Sequence, residues 1–323
     1  MPSIALTSLE IRNFRGIEKL DLDFRGPDGE PNQLVVLAGP NGSGKTAVLE
    51  AALIAVGGQK LAVGPCNKKA IRKSAEDFTI QSLIVVDGNL FQDGPVEITS
   101  NSKLPEPDRN LPFWYFSSWR EPILVGSVNV TVGKPGRRPA KTDPNRLLNV
   151  KQQLANAAAA QSFAVGPQRL LRKYETWVNK INDGWKTFYP EHADRFEVGL
   201  VESEDEGDGA FEVFYVRKGF LRLSVDNLSA GQLELFLFLA ALVINNDREG
   251  IVFIDEPELH LDPQWHAPIL RTLMQLQPKA QFIVATHSPQ IFEAAMSYER
   301  HFLVPDDDPR AWAWPRVKTS AEA

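Results

Sequence analysis

Eight residues, Gly39-Pro40-Asn41-Gly42-Ser43-Gly44-Lys45-Thr46, constrain the fold of this chain more than anything else in it. They follow a continuous apolar run, Leu34 to Ala38, of the kind found in strands buried on both faces. A helical pattern from about Thr46 to Val56 comes next. A Gly-rich turn between a buried strand and a helix can wrap closely around a phosphate chain, pointing its N–H groups inward and adding the positive end of the helix. In such a turn Lys45 neutralises the β- and γ-phosphates and Thr46 offers its hydroxyl to Mg²⁺. The spacing therefore predicts an ATP and Mg²⁺ site with residues 39–46 as its cradle.

The last third of the chain alternates in the way that builds a parallel sheet: a helix at Gln232 to Ile244, a strand at Ile251 to Ile254, a helix at Pro263 to Leu276, a strand at Phe282 to Ala285 and a helix from Pro289. The opening is different. Leu9 and Ile11, then Leu20, Leu22 and Phe24, alternate with polar residues and predict two adjacent strands, with further strands at Ser82 to Val86 and Val96 to Thr99. Gly133 to Arg146 is rich in Gly, Pro, Lys and Arg and reads as a basic loop at a lobe boundary. Beyond it, Leu147 to Ala160 and Pro167 to Tyr189 read as helices, the second with an apolar stripe at Leu170, Tyr174, Trp177, Ile181, Trp185 and Phe188. Acidic Glu202 to Asp208 reads as a solvated hairpin loop between strands Phe196 to Val201 and Phe211 to Val216. The expected fold class is α/β: a P-loop nucleoside triphosphatase with a mixed or parallel sheet core, N-terminal antiparallel strands and a helical/β insertion. The expected division is residues 1–132 as the N-terminal part of the head, 133–226 as the basic loop and insertion lobe, and 227–323 as the C-terminal part of the head.

Composition narrows the setting. With 323 residues, 43% of them hydrophobic, the chain can bury a sizeable core. Lys plus Arg number 35 against 41 Asp plus Glu, a net charge of −6, which removes the simplest argument for a nucleic-acid coat protein. The single cysteine, Cys66, allows neither an intramolecular disulfide nor a thiolate zinc cluster, so the expected compartment is reducing and cytoplasmic. The opening MPSIALTSLEIRNF lacks a basic region followed by an apolar core, so no signal peptide is expected. The longest apolar run, Leu235 to Ile244, is far below the ~20 residues a membrane helix needs, and no membrane partner is expected.

Three later segments carry chemistry. Ile251-Val252-Phe253-Ile254-Asp255-Glu256 sets two carboxylates at the end of an apolar strand, where parallel α/β sheets place ligands. Asp255 is then placed to hold Mg²⁺ through water, and Glu256 to polarise the water attacking the γ-phosphorus. Leu228-Ser229-Ala230-Gly231-Gln232 opens a helix, where the Ser side chain and exposed N–H groups form an anion site. Ser229 lies 184 residues after Lys45 and 26 before Asp255. His287, between Thr286 and Ser288, stands at the end of a predicted strand.

In this order the segments resemble the ABC-type ATPases, whose signature is Leu-Ser-Gly-Gly-Gln, with Ala230 in place of the first Gly. The resemblance implies that Ser229, Gly231 and Gln232 contact ATP held by a second protomer, hence a head-to-tail, ATP-dependent homodimer. It also implies that Pro257 to Pro263 is the D-loop region, with Asp262 at the nucleotide, and that His287 is a switch histidine bonding the γ-phosphate; the role of His260 stays open. The opening Leu9-Glu10-Ile11-Arg12-Asn13-Phe14-Arg15-Gly16 resembles the RecF, SMC and OLD group of DNA-associated ATPases. The spelling Asp255 to Pro263 and Thr286 to Pro289 looks like the OLD-like ATPases of bacterial anti-phage defence systems such as Septu, PARIS and retron operons. The likeness covers about Leu9 to Val56 and Leu228 to Phe292.

Departures from those relatives matter too. The 184-residue gap is too short for the coiled coils of SMC proteins, and the 36 residues after His287 are too few for a Toprim nuclease, so a separate effector or nuclease subunit is implied. The alternatives are a RecF-like DNA-repair ATPase and a slow-turnover ATP-bound scaffold that sequesters an effector. A transporter subunit is disfavoured by the opening motif. The basic loop with Lys134, Arg137, Arg138, Lys141 and Arg146 reads as solvated, with DNA contact as the alternative. Aromatic Trp114 to Arg120 reads as core, and Gln81 is a candidate for the Gln ligand to Mg²⁺ that the family carries.

Overall fold

Two adjacent strands at the N-terminus do form, as a hairpin: β1 (Ile4–Phe14) pairs antiparallel with β2 (Ile17–Asp23), Leu9 opposite Leu22 and Ile11 opposite Leu20. In chain order there follow β3 (Leu34–Ala38), α1 (Lys45–Ala55), β4 (Thr79–Val86), β5 (Asn89–Leu90), β6 (Val96–Thr99) and β7 (Phe113–Phe116). Next come α2 (Arg146–Phe163), α3 (Lys173–Lys186), β8 (Arg195–Val201), β9 (Ala210–Arg217), β10 (Leu221–Ser224) and α4 (Ala230–Ile244). The chain continues with β11 (Ile251–Asp255), α5 (Pro263–Leu276), β12 (Gln281–Thr286), α6 (Pro289–Ala294) and β13 (Arg300–Phe302). This computed structural model describes residues 1–62, 64, 66–72, 75–102, 111–118, 120, 122–129, 145–163, 173–191, 193–201, 210–217, 221–245 and 249–304. The chain divides into two units: Met1–Trp119 with Arg248–Glu258 and Pro278–Ala323, and Arg120–Asp247 with Leu259–Gln277.

In the first unit a five-stranded, wholly parallel sheet has the order β13-β3-β12-β11-β7. Every residue of β3, β11 and β12 is buried, which is why those segments read as continuous apolar runs rather than alternating ones. An antiparallel sheet, β2-β1-β4-β5 with β6 also on β4, faces it across α1. Val48, Leu49, Ala51, Ala52, Leu53 and Ile54 of α1 have no exposure, because the helix is covered on both sides. Gln281, fully buried, fastens β1 to the parallel layer: its amide accepts from Leu6 N at 2.8 Å and donates to Leu6 O at 2.9 Å and Asn32 O at 3.0 Å. The aromatic run near 114 is a strand, with Trp114 and Phe116 buried; Trp119 lies outside the described residues.

The second unit packs α2, α3, α4 and α5 with a three-stranded antiparallel sheet, β10-β9-β8. Of the predicted stripe, Trp177, Ile181, Trp185 and Phe188 are buried and Tyr174 half-buried, while Leu170 lies outside the described residues. Helix α4 is apolar on nearly all sides and buried from Leu233 through Ala240, packed on α2, α3 and α5. Because of that packing α4 belongs to the unit that holds residues 133–226, which differs from the three-part division expected from the sequence. Arg146 turns inward to the buried Glu234, which Arg120 also reaches. Lys134, Arg137, Arg138 and Lys141, and acidic Glu202 to Asp208, lie outside the described residues.

His301 on β13 sits edge-on to Phe24, ring centroids 5.5 Å apart, and its Nε2 has no hydrogen-bond partner among the described residues. Burial pulls its pKa down to about 4, against a weak opposing attraction from Asp23. The unfolded chain therefore binds this proton more readily, and the stability tied to it is lost as pH falls from about 6.5 toward 4. The unfolding midpoint of the wild type is expected to drop across that window more steeply than that of His301→Gln. Parallel curves for the two proteins would contradict this.

Candidate nucleotide site

The cradle forms where β3 stops. Leu303 N donates to Ala38 O at 2.7 Å, which brings β13 so close that a Cβ on Gly39 would lie 2.1 Å from Leu303 O. Only glycine fits there. Lys45 is 5% exposed and folds back over the turn, Nζ donating to Gly39 O at 3.0 Å and Pro40 O at 2.9 Å. Burial lowers its pKa, opposed by the carboxylates of Glu256, Asp255 and Glu258. Asn41 and Gly42 are exposed, and Ser43 Oγ is buried with no hydrogen-bond partner among the described residues. A turn with an orphaned hydroxyl and an ammonium whose hydrogen bonds, among the described residues, go to the turn's own carbonyls fits a phosphate chain.

Thr46 Oγ1 lies 3.2 Å from both oxygens of Asp255, which is 2% exposed at the end of β11, and Ser118 Oγ donates to Asp255 Oδ2 at 2.9 Å. Hydroxyl and carboxylate oxygens suit Mg²⁺, which keeps several waters and leans on substrate phosphate. Among the described residues there is no group of three or more His, Cys, Asp or Glu that could hold a metal ion.

Glu256 adopts φ 53°, a left-handed conformation that costs a non-glycine residue about 1 kcal/mol. The turn ends the strand, ties Glu256 N to Ala285 O at 2.8 Å and brings its Oε1 to 3.4 Å from His287 Nε2. Both side chains remain about one-third exposed, 32% and 35%. Glu258 reaches the same turn: Oε1 accepts from His287 N at 2.5 Å and Ser288 N at 3.1 Å, and Oε2 from the Thr286 hydroxyl at 2.8 Å.

Ser229, Gly231, Gln232 and Asp262 are all in the second unit. Ser229 caps α4 in a reciprocal box with Gln232, whose Nε2 donates to Tyr189 OH at 3.1 Å. Burial raises the Tyr189 pKa, against the bond from Gln232. A Cβ on Gly231 would lie 2.4 Å from His260 O, whereas Ala230 is exposed, so only the second glycine of the signature is irreplaceable here. His260 itself turns left-handed, φ 68°, and Asp262 caps α5 by accepting from Gln264 N at 3.0 Å. With Tyr189 and Trp265 these residues line a groove of about 450 Å³.

The first unit thus gathers Lys45, Thr46, Asp255, Glu256 and His287. Gln81 is elsewhere, on β4 with its amide donating to Glu97 at 2.6 Å. Ser118 and Glu258 went unread in the sequence. Ser118 lies inside the Trp114 to Arg120 stretch that reads as core, and Glu258 inside the Pro257 to Pro263 segment that resembles a D-loop, neither with a role of its own.

Residues 126–293 match a family model described as "AAA domain, putative AbiEii toxin, Type IV TA system", and residues 8–103 match another described as "AAA domain". The chain is similar to Septu protein PtuA of Bacillus mycoides, 23% identical over 323 residues, 95% of this chain and 41% of that protein. It is also similar to "Retron Vc95 probable ATPase" of Vibrio cholerae, 34% identical over 93 residues, 25% of this chain and 18% of that protein. It spans less than half the length of these curated relatives. Among solved structures, the Smc head domain bound to the C-terminal domain of ScpA, from Pyrococcus furiosus, has TM-score 0.55 at 13% identity, covering 90% of this chain and 92% of that one, a likeness of fold.

Proposed function

Because the chain belongs to the AAA domain family whose model spans residues 126–293, and is an ABC-type P-loop ATPase, we propose that it hydrolyses ATP in a head-to-tail dimer. In this reading residues 39–46 cradle the triphosphate, with Lys45 on the β- and γ-phosphates. Thr46 and Asp255 hold Mg²⁺, which neutralises charge on the phosphate oxygens. Glu256 polarises the attacking water and His287 donates to the γ-phosphate. The observation that carries the proposal is Thr46 Oγ1 within 3.2 Å of Asp255 while Glu256 and His287 meet at 3.4 Å on the neighbouring strand end.

Ser229, Gly231, Gln232 and Asp262 then serve the nucleotide of the other protomer. The likeness to Septu PtuA and to a retron ATPase supports a place in a bacterial anti-phage defence system, in the cytoplasm, gating a separate effector. Among the described residues no helix is long and apolar enough to cross a membrane.

The test is complementation. Ser229→Arg is expected to bind ATP as a monomer yet not hydrolyse it, and Lys45→Ala not to bind it. Mixed, they form heterodimers with one intact composite site, restoring about a quarter of wild-type hydrolysis on random assortment. A mixture as inactive as its components would contradict the shared site.

A further inference from the structure

Glu258 takes no part in the chemistry proposed above, yet three donors of one turn converge on its carboxylate: the hydroxyl of Thr286 and the N–H groups of His287 and Ser288. Capping of the short helix α6 does not require it. Ser288 Oγ already accepts from Ile291 N at 3.3 Å, and Thr286 Oγ1 accepts from Ser288 N at 2.9 Å. What Glu258 adds is a fixed backbone on either side of the imidazole. Only Pro257, with its restricted φ, separates it from Glu256, so the two glutamates are held on one stiff segment. One approaches the His287 ring and the other grips the His287 backbone.

We infer that Glu258 is a positioning residue that clamps the Thr286 to Ser288 turn so that the imidazole of His287 and the carboxylate of Glu256 face the γ-phosphate together. This rests on the hydrolytic reading above. A misplacement of about 1 Å at a reacting centre is enough to cost on the order of 100-fold in rate.

The test uses the full chain and four variants: Glu258→Ala, Glu258→Gln, His287→Ala and the double Glu258→Ala/His287→Ala. Glu258→Ala is expected to lower kcat by about 10- to 100-fold with KM for ATP changed by less than about 3-fold. Glu258→Gln keeps a carbonyl oxygen for the two N–H groups and is expected to stay within about 5-fold of wild type. Added to His287→Ala, the Glu258→Ala change is expected to cost less than about 2-fold, because it acts through the missing ring. Multiplicative losses in the double variant, or a Gln variant as slow as the Ala variant, would overturn the inference, the latter by giving the carboxylate a chemical role.

Amide hydrogen exchange at His287 and Ser288 decides the clamp without turnover. Fast exchange in Glu258→Ala with protection kept in Glu258→Gln supports it, and unchanged protection in Glu258→Ala overturns it. A wild type that binds ATP and never hydrolyses it would sink the hydrolytic reading instead, and the exchange result would still stand.

Discussion

Glu256→Gln is expected to lower ATP hydrolysis by about 10²- to 10⁴-fold while leaving ATP affinity within about 3-fold of wild type. The asymmetry follows from where Glu256 sits. Its carboxylate projects from a strained left-handed turn toward His287 and is one-third exposed, whereas Thr46 Oγ1 meets Asp255 at 3.2 Å. An amide of the same size preserves the turn and removes the carboxylate that, in the proposed mechanism, takes the water's proton, so binding is expected to survive and turnover is not. Single-turnover hydrolysis with excess protein checks this. A variant within 10-fold of wild type would take Glu256 out of the chemistry.

Lys45→Ala has the second large effect, on binding. The Lys45 ammonium is almost fully buried and bonded to two carbonyls of its own turn, in the company of Glu256, Asp255 and Glu258. In the proposed site the ammonium would exchange those carbonyls for phosphate oxygens when a triphosphate binds. Losing two charge-assisted bonds of about 1.5–3 kcal/mol each predicts a loss of about 100-fold or more in ATP affinity. Equilibrium binding of fluorescent ATP measures it directly. Unchanged affinity would show that residues 39–46 are not the phosphate cradle.

The parallel sheet was legible because burial on both faces leaves a plain trace: Leu34 to Ala38, Ile251 to Ile254 and Phe282 to Ala285 are uninterrupted apolar runs bounded by glycine or polar residues, and they became β3, β11 and β12 almost residue for residue. Strand β7 left no such trace, since Trp114 and Phe116 alternate with half-buried neighbours and read as any aromatic core cluster. The two-residue β5 is too short for periodicity to register. At the site, residues with motif spelling were readable and residues that act through geometry were not. Ser118 meets Asp255 from 137 positions away, and the grip of Glu258 on the His287 turn depends on β11 and β12 being parallel neighbours. Gln81 failed for a related reason: its type matched the expected ligand, but its strand pairs with β1 and β6 in the antiparallel layer.

Gly231 adds a physical reason for a spelling. The second glycine of the signature permits the approach of His260 O, while Ala230 at the first position meets no such demand. The tight contact fixes the start of α4 against the left-handed turn at His260, giving the signature serine a rigid base.

In the proposed reading one chain carries two halves of different active sites, completed only by a second copy. The most direct measurement is the solution mass of Glu256→Gln with and without Mg·ATP, since blocked hydrolysis traps the closed state. The expected result is the mass of a monomer without nucleotide and twice that mass with Mg·ATP, reversed when Ser229→Arg is added. A mass that stays monomeric with ATP bound would contradict it.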